Sequence, residues 1–269
     1  MRLSLFSLLS IRFSCLFLLI GLSLFACQKT NSAKPTSAQI ITHSEIDPKK
    51  EYPLEDVKAS GLKLMALSDG FHLFPYRDQS SPSASHDELI ILVHGYGSQG
   101  YEWIHALHEG SRIANLGFYK WDFHQCHEEA SVLLSKMIES LKSKYKKIRI
   151  YAHSYGGIIA SLAAFKMQSV LPDPAVFSLN IIASPLAGHP KLKERCGFEG
   201  IKGKVPVGQH WTQWQTQLYL DSAFKDLPSD PQLVSIEGMQ VVGLPAEYRG
   251  QRLGHNWSIS YVIDQQVKQ

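Results

Sequence analysis

The sequence predicts an α/β fold in which a mostly parallel central sheet carries helices on both faces. Three apolar runs, 89–93, 148–152 and 175–182, have the continuous hydrophobicity of strands buried on both sides of such a sheet. Segment 127–147 lies between the first and second runs and has the apolar spacing of a helix. Segment 155–168 follows the second run and is apolar and Ala-rich, which also favours a helix. A strand–helix–strand–helix–strand order favours parallel pairing.

Composition limits the class of protein. The chain has 269 residues, of which 44% are hydrophobic, and a net charge of +3. It is long enough for one catalytic domain with a terminal extension. Charges of both signs are spread along it without a Lys/Arg block, so the sequence gives no support for nucleic-acid binding.

The N-terminus predicts a secretory signal peptide. Arg2 and Arg12 precede an uncharged apolar run, 13–26, and Cys27 follows a small residue. The end of this segment, "LFAC", resembles the lipobox of bacterial lipoproteins, although Phe25 is bulkier than is usual there. The resemblance implies a lipoprotein-type signal peptide over 1–27, a lipid on Cys27, and a lipid-anchored protein at the membrane surface of the bacterial cell envelope. A plain signal peptide or an uncleaved anchor helix is the alternative.

The remainder is predicted as a flexible polar tether, 28–52, and one domain, 53–269. Two short strands are expected at 62–67 and 71–76, another at 118–123, and one more at 232–238. A helix is expected at 258–269. The segment at about 188–231 is interpreted as an inserted helical cap over the sheet, in which Trp211 and Trp214 lie in a helix that either lines a pocket or packs in the core.

Ser154 is the candidate nucleophile. It ends the apolar run "IRIYAH" and is followed by the helical segment that starts "YGG". A nucleophilic serine on such a strand-to-helix turn needs small residues two positions before and after it, and here these are Ala152 and Gly156. The pattern is A-x-S-x-G, a mild departure from G-x-S-x-G. A serine that caps the helix is the structural alternative.

Two further motifs support the nucleophile. "VHGYG", 93–97, follows an earlier buried strand, and its backbone could stabilise an oxyanion. The expected donors are the N–H groups of Tyr96 and of Tyr155, directly after the nucleophile. His255, in the late motif "GHNW", is the residue type of a general base near neutral pH. Ser154 precedes His255, which fits the order Ser, acid, His.

With these residues, the sequence resembles the α/β-hydrolase superfamily, and within it bacterial lipases and esterases. The resemblance rests on "ILVHGYGSQG", "AHSYGG", "ASPLAG" and "LGHNWS". It implies that Ser154 is the nucleophile, that His255 is the base, and that His94 and His153 are not the base.

The carboxylate that would complete a catalytic triad with Ser154 and His255 has the least support from the sequence. The resemblance implies an Asp after the penultimate strand, and Gln240 falls there. Glu237, three residues earlier, is the first candidate. The alternative candidates for the acid, all in the predicted insertion, are Asp221, Asp226 and Asp230.

These motifs predict a serine hydrolase that cleaves carboxylic esters through an acyl-enzyme, on a small-molecule or lipid ester substrate. An amidase or peptidase of the same fold is a related alternative. A catalytically silent binding module is the alternative of another class, motivated by Gln240. No cofactor or metal is expected. Whether Cys126 and Cys196 form a disulfide stays open, because sequence does not give their separation.

Overall fold

A computed structural model describes residues 39–76, 85–167 and 177–267. The predicted signal peptide, Cys27 and the first part of the tether lie outside these ranges, so the lipid anchor stays a prediction. Within the described ranges, every helix is too short or too polar to cross a bilayer.

The described residues form one eight-stranded sheet. Its strands are β1 (Ile40–Thr42), β2 (Gly70–Phe74), β3 (Ser85–Val93), β4 (Ala114–Lys120), β5 (Lys147–His153), β6 (Phe177–Ile182), β7 (Gln209–Gln215) and β8 (Gln240–Gly243). They lie in the order β1-β2-β4-β3-β5-β6-β7-β8, and only the β2–β4 pair is antiparallel. A separate two-stranded hairpin joins β9 (Glu247–Tyr248) and β10 (Gln251–Arg252).

Helices cover both faces of the sheet, as the sequence predicts. The α-helices in the described ranges are α1 (Pro48–Glu51), α2 (Val57–Met65), α3 (Ile104–Ser111), α4 (His127–Leu141), α5 (Tyr155–Lys166), α6 (Pro190–Cys196) and α7 (Trp257–Val267). Short 3-10 helices lie at Leu54–Asp56, Tyr101–Trp103 and Leu218–Leu220. Helices α4 and α5 pack on one face, and α3 and α7 pack on the other.

The apolar strands owe their continuous hydrophobicity to this two-sided burial. Alternate residues of β3 point to opposite faces, so Leu89, Ile91 and Val93 join the core under α4 and α5, while Ile90 and Leu92 join the core under α3 and α7. The predicted fold class is therefore confirmed, with β5 in the centre of the sheet.

The N-terminal part of the domain differs from the expectation. Residues 40–51, expected in the tether, form β1 and α1. The expected strand at 62–67 is the end of helix α2, which starts where the Asp56 side chain accepts a hydrogen bond from the Ala59 N–H at 3.0 Å. The run "LKLMAL" is short and almost entirely apolar, so its periodicity does not separate a strand from a helix.

The helical cap expected over 188–231 is wrong in its second half. Residues 209–215 are strand β7, parallel to β6, and Trp211 and Trp214 are buried side chains of the sheet. The expected strand at 232–238 is not a strand. Of that segment, only Glu237 makes an isolated bridge, with Lys204. As a result, β7 is the penultimate strand of the sheet.

A disulfide joins Cys126 and Cys196 across a sequence separation of 70 residues. Cys126 directly precedes α4, and Cys196 ends α6. The bond therefore attaches the segment that carries α6 to the loop after β4.

Replacing both cysteines, Cys126→Ala with Cys196→Ala, should lower the free energy of unfolding. Loss of a cross-link that closes so long a loop raises the entropy of the unfolded chain, which lowers the free energy of unfolding by about 4 kcal/mol in the chain-entropy model. Urea unfolding of the wild type and the double variant measures this. Reduced wild type should match the double variant, and equal stabilities of the oxidised wild type and the variant would contradict the expectation.

Candidate active site

Ser154 lies on a strained turn between β5 and α5. Its φ is 53° and its ψ is −124°, in the left-handed half of backbone space that a residue with a side chain rarely adopts. Its N–H donates to the Ile182 carbonyl at 2.9 Å. Gly156 is required next to it, because a Cβ there would lie 2.4 Å from the His94 carbonyl oxygen. The turn is the structure that the A-x-S-x-G pattern predicts.

A second serine braces this turn. The Ser184 hydroxyl donates to the Ser154 carbonyl at 2.7 Å. Ser184 is buried, and it approaches so closely that a Cβ on Gly157 would lie 2.5 Å from its oxygen. The sequence analysis assigned no role to this residue, although it lies in "ASPLAG", one of the motifs that carry the resemblance.

His255 is paired with Asp221. The His255 Nδ1 and Asp221 Oδ2 atoms are 2.9 Å apart. The Asp221 side chain is fully buried, and the imidazole is 11% exposed. The Phe224 ring packs edge-on against the imidazole, with centroids 5.0 Å apart. Because the acceptor is a carboxylate oxygen, Nδ1 carries the proton and Nε2 is left to accept one.

Both oxygens of the Asp221 carboxylate accept hydrogen bonds. Thr216 Oγ1 donates to Oδ2 at 2.5 Å, and the Ala223 N–H donates to Oδ1 at 2.9 Å. Gln232 holds Thr216 in turn, since its Oε1 accepts from the Thr216 N–H and its Nε2 donates to the Thr216 carbonyl, each at 3.0 Å. These residues follow the end of β7, so the carboxylate is positioned by the sheet.

Glu237, the first candidate for the acid, is not the partner of His255. Its side chain is exposed, and its backbone pairs with Lys204. Asp226 is exposed as well, and Asp230 accepts a hydrogen bond from the Gln232 N–H. Gln240 is an exposed residue at the start of β8. The prediction was wrong because β7 was interpreted as a helix, which moved the expected acid position one strand too far along the chain.

His94 and His153 are buried neutral histidines. His94 Nδ1 donates to the Gly95 carbonyl at 2.9 Å and Nε2 accepts from the Trp121 N–H at 3.3 Å, and burial lowers its pKa to about 3. His153 Nε2 donates to the His255 carbonyl at 3.0 Å, and burial holds its pKa well below the usual value. Both rings fix backbone around the site, in line with the expectation that neither is the base.

The loop after β3 brings Tyr96 to the site. Its ring packs edge-on against Phe123, with centroids 5.2 Å apart, and the Arg195 guanidinium lies 5.6 Å from the ring centre. Tyr155 is the first residue of α5, where backbone N–H groups have no partner within the helix. Both residues line a cavity together with Ser154 and His255.

Glu102 is a buried carboxyl group that the sequence analysis missed. It lines a small polar cavity with Ser154 and His255, and Ser98 donates a hydrogen bond to its Oε1. Its Oε2 has no hydrogen-bond partner among the described residues. Burial raises the pKa of this carboxyl above its usual value. Glu102 lies in the sequence "YEW", which matches no motif, so nothing in the sequence indicated a buried carboxyl group there.

Two cavities meet at Ser154. The smaller, of about 140 Å³, contains Glu102, Ser98, Gln99 and Asn256. The larger, of about 540 Å³, contains Leu192 and Phe224 together with Lys191 and Arg195 of α6. The larger volume suits a small organic molecule. Within the described ranges, no group of three or more His, Cys, Asp or Glu side chains is placed to hold a metal ion.

Comparison with solved structures identifies the fold. The mature form of the lipase BlEst2 from Bacillus licheniformis matches with a TM-score of 0.52 and 10% identity, over 73% of this chain and 97% of the lipase. The chain has the α/β-hydrolase fold.

Two further solved structures match with lower TM-scores. Est1E from Butyrivibrio proteoclasticus matches with a TM-score of 0.49 and 12% identity, over 74% of this chain and 90% of Est1E. A putative α/β hydrolase from Agrobacterium tumefaciens matches with a TM-score of 0.42 and 12% identity, over 72% of this chain and 87% of that protein. No family model and no curated protein matches the sequence.

Glu102→Gln should change how stability depends on pH. Because burial raises the pKa of Glu102 in the folded state, the folded wild type holds this proton more tightly than the unfolded chain does. The wild type should therefore lose stability relative to the variant as pH rises above about 4.5, by at most about 1.4 kcal/mol per pH unit. Urea unfolding across pH measures the difference, and a difference independent of pH would contradict this.

Proposed function

We propose that the protein is a serine hydrolase that cleaves carboxylic esters through an acyl-enzyme on Ser154. The observation that carries the proposal is the contact of the buried Asp221 carboxylate with His255 Nδ1 at 2.9 Å, beside a strained Ser154 that lines the same cavity as His255. A loop serine or a structural histidine would need none of these features together.

In the first half-reaction, the Ser154 hydroxyl attacks the ester carbonyl while His255 Nε2 takes its proton. Asp221 keeps the proton on Nδ1 and stabilises the imidazolium that forms. The N–H groups of Tyr96 and Tyr155 donate to the oxyanion of the tetrahedral intermediate. The imidazolium then protonates the leaving alcohol as the acyl-enzyme forms.

In the second half-reaction, His255 takes a proton from a water molecule, which attacks the acyl-enzyme. The second tetrahedral intermediate collapses, Ser154 recovers its proton from His255, and the carboxylic acid leaves. Every proton passes through His255 Nε2, so the tautomer that Asp221 holds is needed in both halves.

The alternative of a silent binding module loses its motivation. It rested on Gln240 in place of an acid, and Asp221 now stands against His255. A fully buried carboxylate is costly unless it is paired, so its placement beside this histidine favours catalysis over a binding role.

Substitutions of Asp221 and Glu237 test which of the two carboxylates assists His255. Asp221→Asn should lower kcat by about 10⁴-fold because it favours the wrong imidazole tautomer. Glu237→Gln is the matched control and should hydrolyse at the wild-type rate. Ser154→Ala should lose hydrolysis altogether. Steady-state hydrolysis of 4-nitrophenyl acetate measures all three, and an Asp221→Asn rate within a few-fold of wild type would contradict the assignment.

A further inference from the structure

The larger cavity has one basic wall. His189, Lys191 and Arg195 line it together with Ser154 and His255, and its lining in the described residues contains no Asp or Glu. Lys191 and Arg195 are four residues apart on α6, so their side chains lie on the same face of the helix. Two cations and a histidine therefore lie along one side of a cavity that opens at the candidate nucleophile.

The two cations have no anionic partner in the part of the chain that the structure describes. Among the described residues, no carboxylate lies at ion-pair distance from Lys191 or Arg195, whereas Lys193 on the same helix pairs with Glu199 at 2.9 Å. Like charges four residues apart on a helix repel each other. The helix thus carries an unfavourable charge pair on the side that lines the cavity, and a satisfied pair elsewhere.

Arg195 lies against Tyr96, in the lining of the cavity that contains Ser154. Its guanidinium lies 5.6 Å from the centre of the Tyr96 ring, and it also donates to the His124 carbonyl. These contacts fix the guanidinium beside the residue whose N–H is the expected oxyanion donor. A guanidinium has five N–H donors, so others remain for a substrate.

His189 adds a neutral donor. Its Nδ1 accepts from the Lys191 N–H at 3.2 Å, and burial followed by the charge of Lys191 lowers its pKa. The ring is therefore neutral, and its proton is on Nε2. The small cavity at Ser154 contains the Glu102 carboxyl and none of these cations. The charge around Ser154 is thus uneven, with the positive side along α6.

From this arrangement we infer that the hydrolase prefers esters that carry an anionic group, which binds Lys191 and Arg195 in the larger cavity. The inference rests on the proposed function and names its substrate class. A carboxylate or phosphate on either the acyl or the alcohol part supplies the same chemistry, because the cations need only a negative charge within reach.

The test compares matched esters that differ in one charge. The first pair is 4-nitrophenyl pentanoate and the 4-nitrophenyl monoester of glutaric acid, with the anion on the acyl part. The second pair is phenyl butyrate and 3-carboxyphenyl butyrate, with the anion on the alcohol part. The readout is the ratio of kcat/KM for the anionic ester to that for the uncharged one, and at least one pair should give a ratio well above one.

Variants of α6 test the origin of the ratio. Lys191→Gln should lower it by about threefold, and Lys191→Glu should lower it further because it adds a repulsive charge. Lys193→Gln, which removes a cation outside the cavity, is the matched control and should leave the ratio unchanged. Arg195 stays unchanged because it also contacts Tyr96. The ratio should fall as salt rises from about 0.02 to about 0.3 M.

Binding of the same esters to the Ser154→Ala variant tests the basic wall independently of ester hydrolysis. Equilibrium dialysis of the same esters needs no turnover, so tighter binding of an anionic ester that Lys191→Glu abolishes supports the basic wall even if no ester is hydrolysed. A ratio near one for both pairs, with equal binding of charged and uncharged esters, would overturn the inference while leaving ester hydrolysis intact.

Discussion

The burial of the Asp221 carboxylate is the constraint on which the candidate site depends. A charge with no access to water is stable only where donors surround it, and here these are Thr216, Ala223 and His255. The same bonds that stabilise the carboxylate fix the imidazole ring and its tautomer. The segment that follows β7 therefore holds both the carboxylate and the imidazole ring, and Gln232 in turn holds Thr216 in place.

The parallel sheet brings the other groups to the same edge. The loop that carries Tyr96 follows β3, Ser154 follows β5, Ser184 follows β6, and Asp221 lies in the segment after β7. Carboxyl ends of parallel strands share one edge, so residues far apart in sequence converge there. The turn at Ser154, with its positive φ, is held by hydrogen bonds to the Ile182 carbonyl and from the Ser184 hydroxyl. The His94 carbonyl lies so close that only glycine fits at position 156.

Much of this could be predicted from the sequence, because the central strands and the turn leave local signals. Continuous apolar runs mark β3, β5 and β6, and the small residues around Ser154 mark the turn. Strand β7 leaves no such signal, since "QHWTQWQ" mixes buried aromatic and glutamine side chains, and Gln213 is fully buried. That error placed the expected partner of His255 at Glu237, whereas the structure pairs His255 with Asp221. Glu102 and the Cys126–Cys196 pairing depend on contacts across the fold, which sequence spacing does not encode.

Covalent labelling of the purified chain with a fluorophosphonate tests most directly whether Ser154 is an activated nucleophile. The reagent reacts with a serine whose hydroxyl is deprotonated by a positioned base and whose oxyanion is stabilised. We expect one adduct by intact mass, mapped to Ser154, and a lower rate of labelling when Asp221 is replaced by Asn. A chain that is folded by circular dichroism yet takes up no label, or takes it up at another serine, would contradict the central claim.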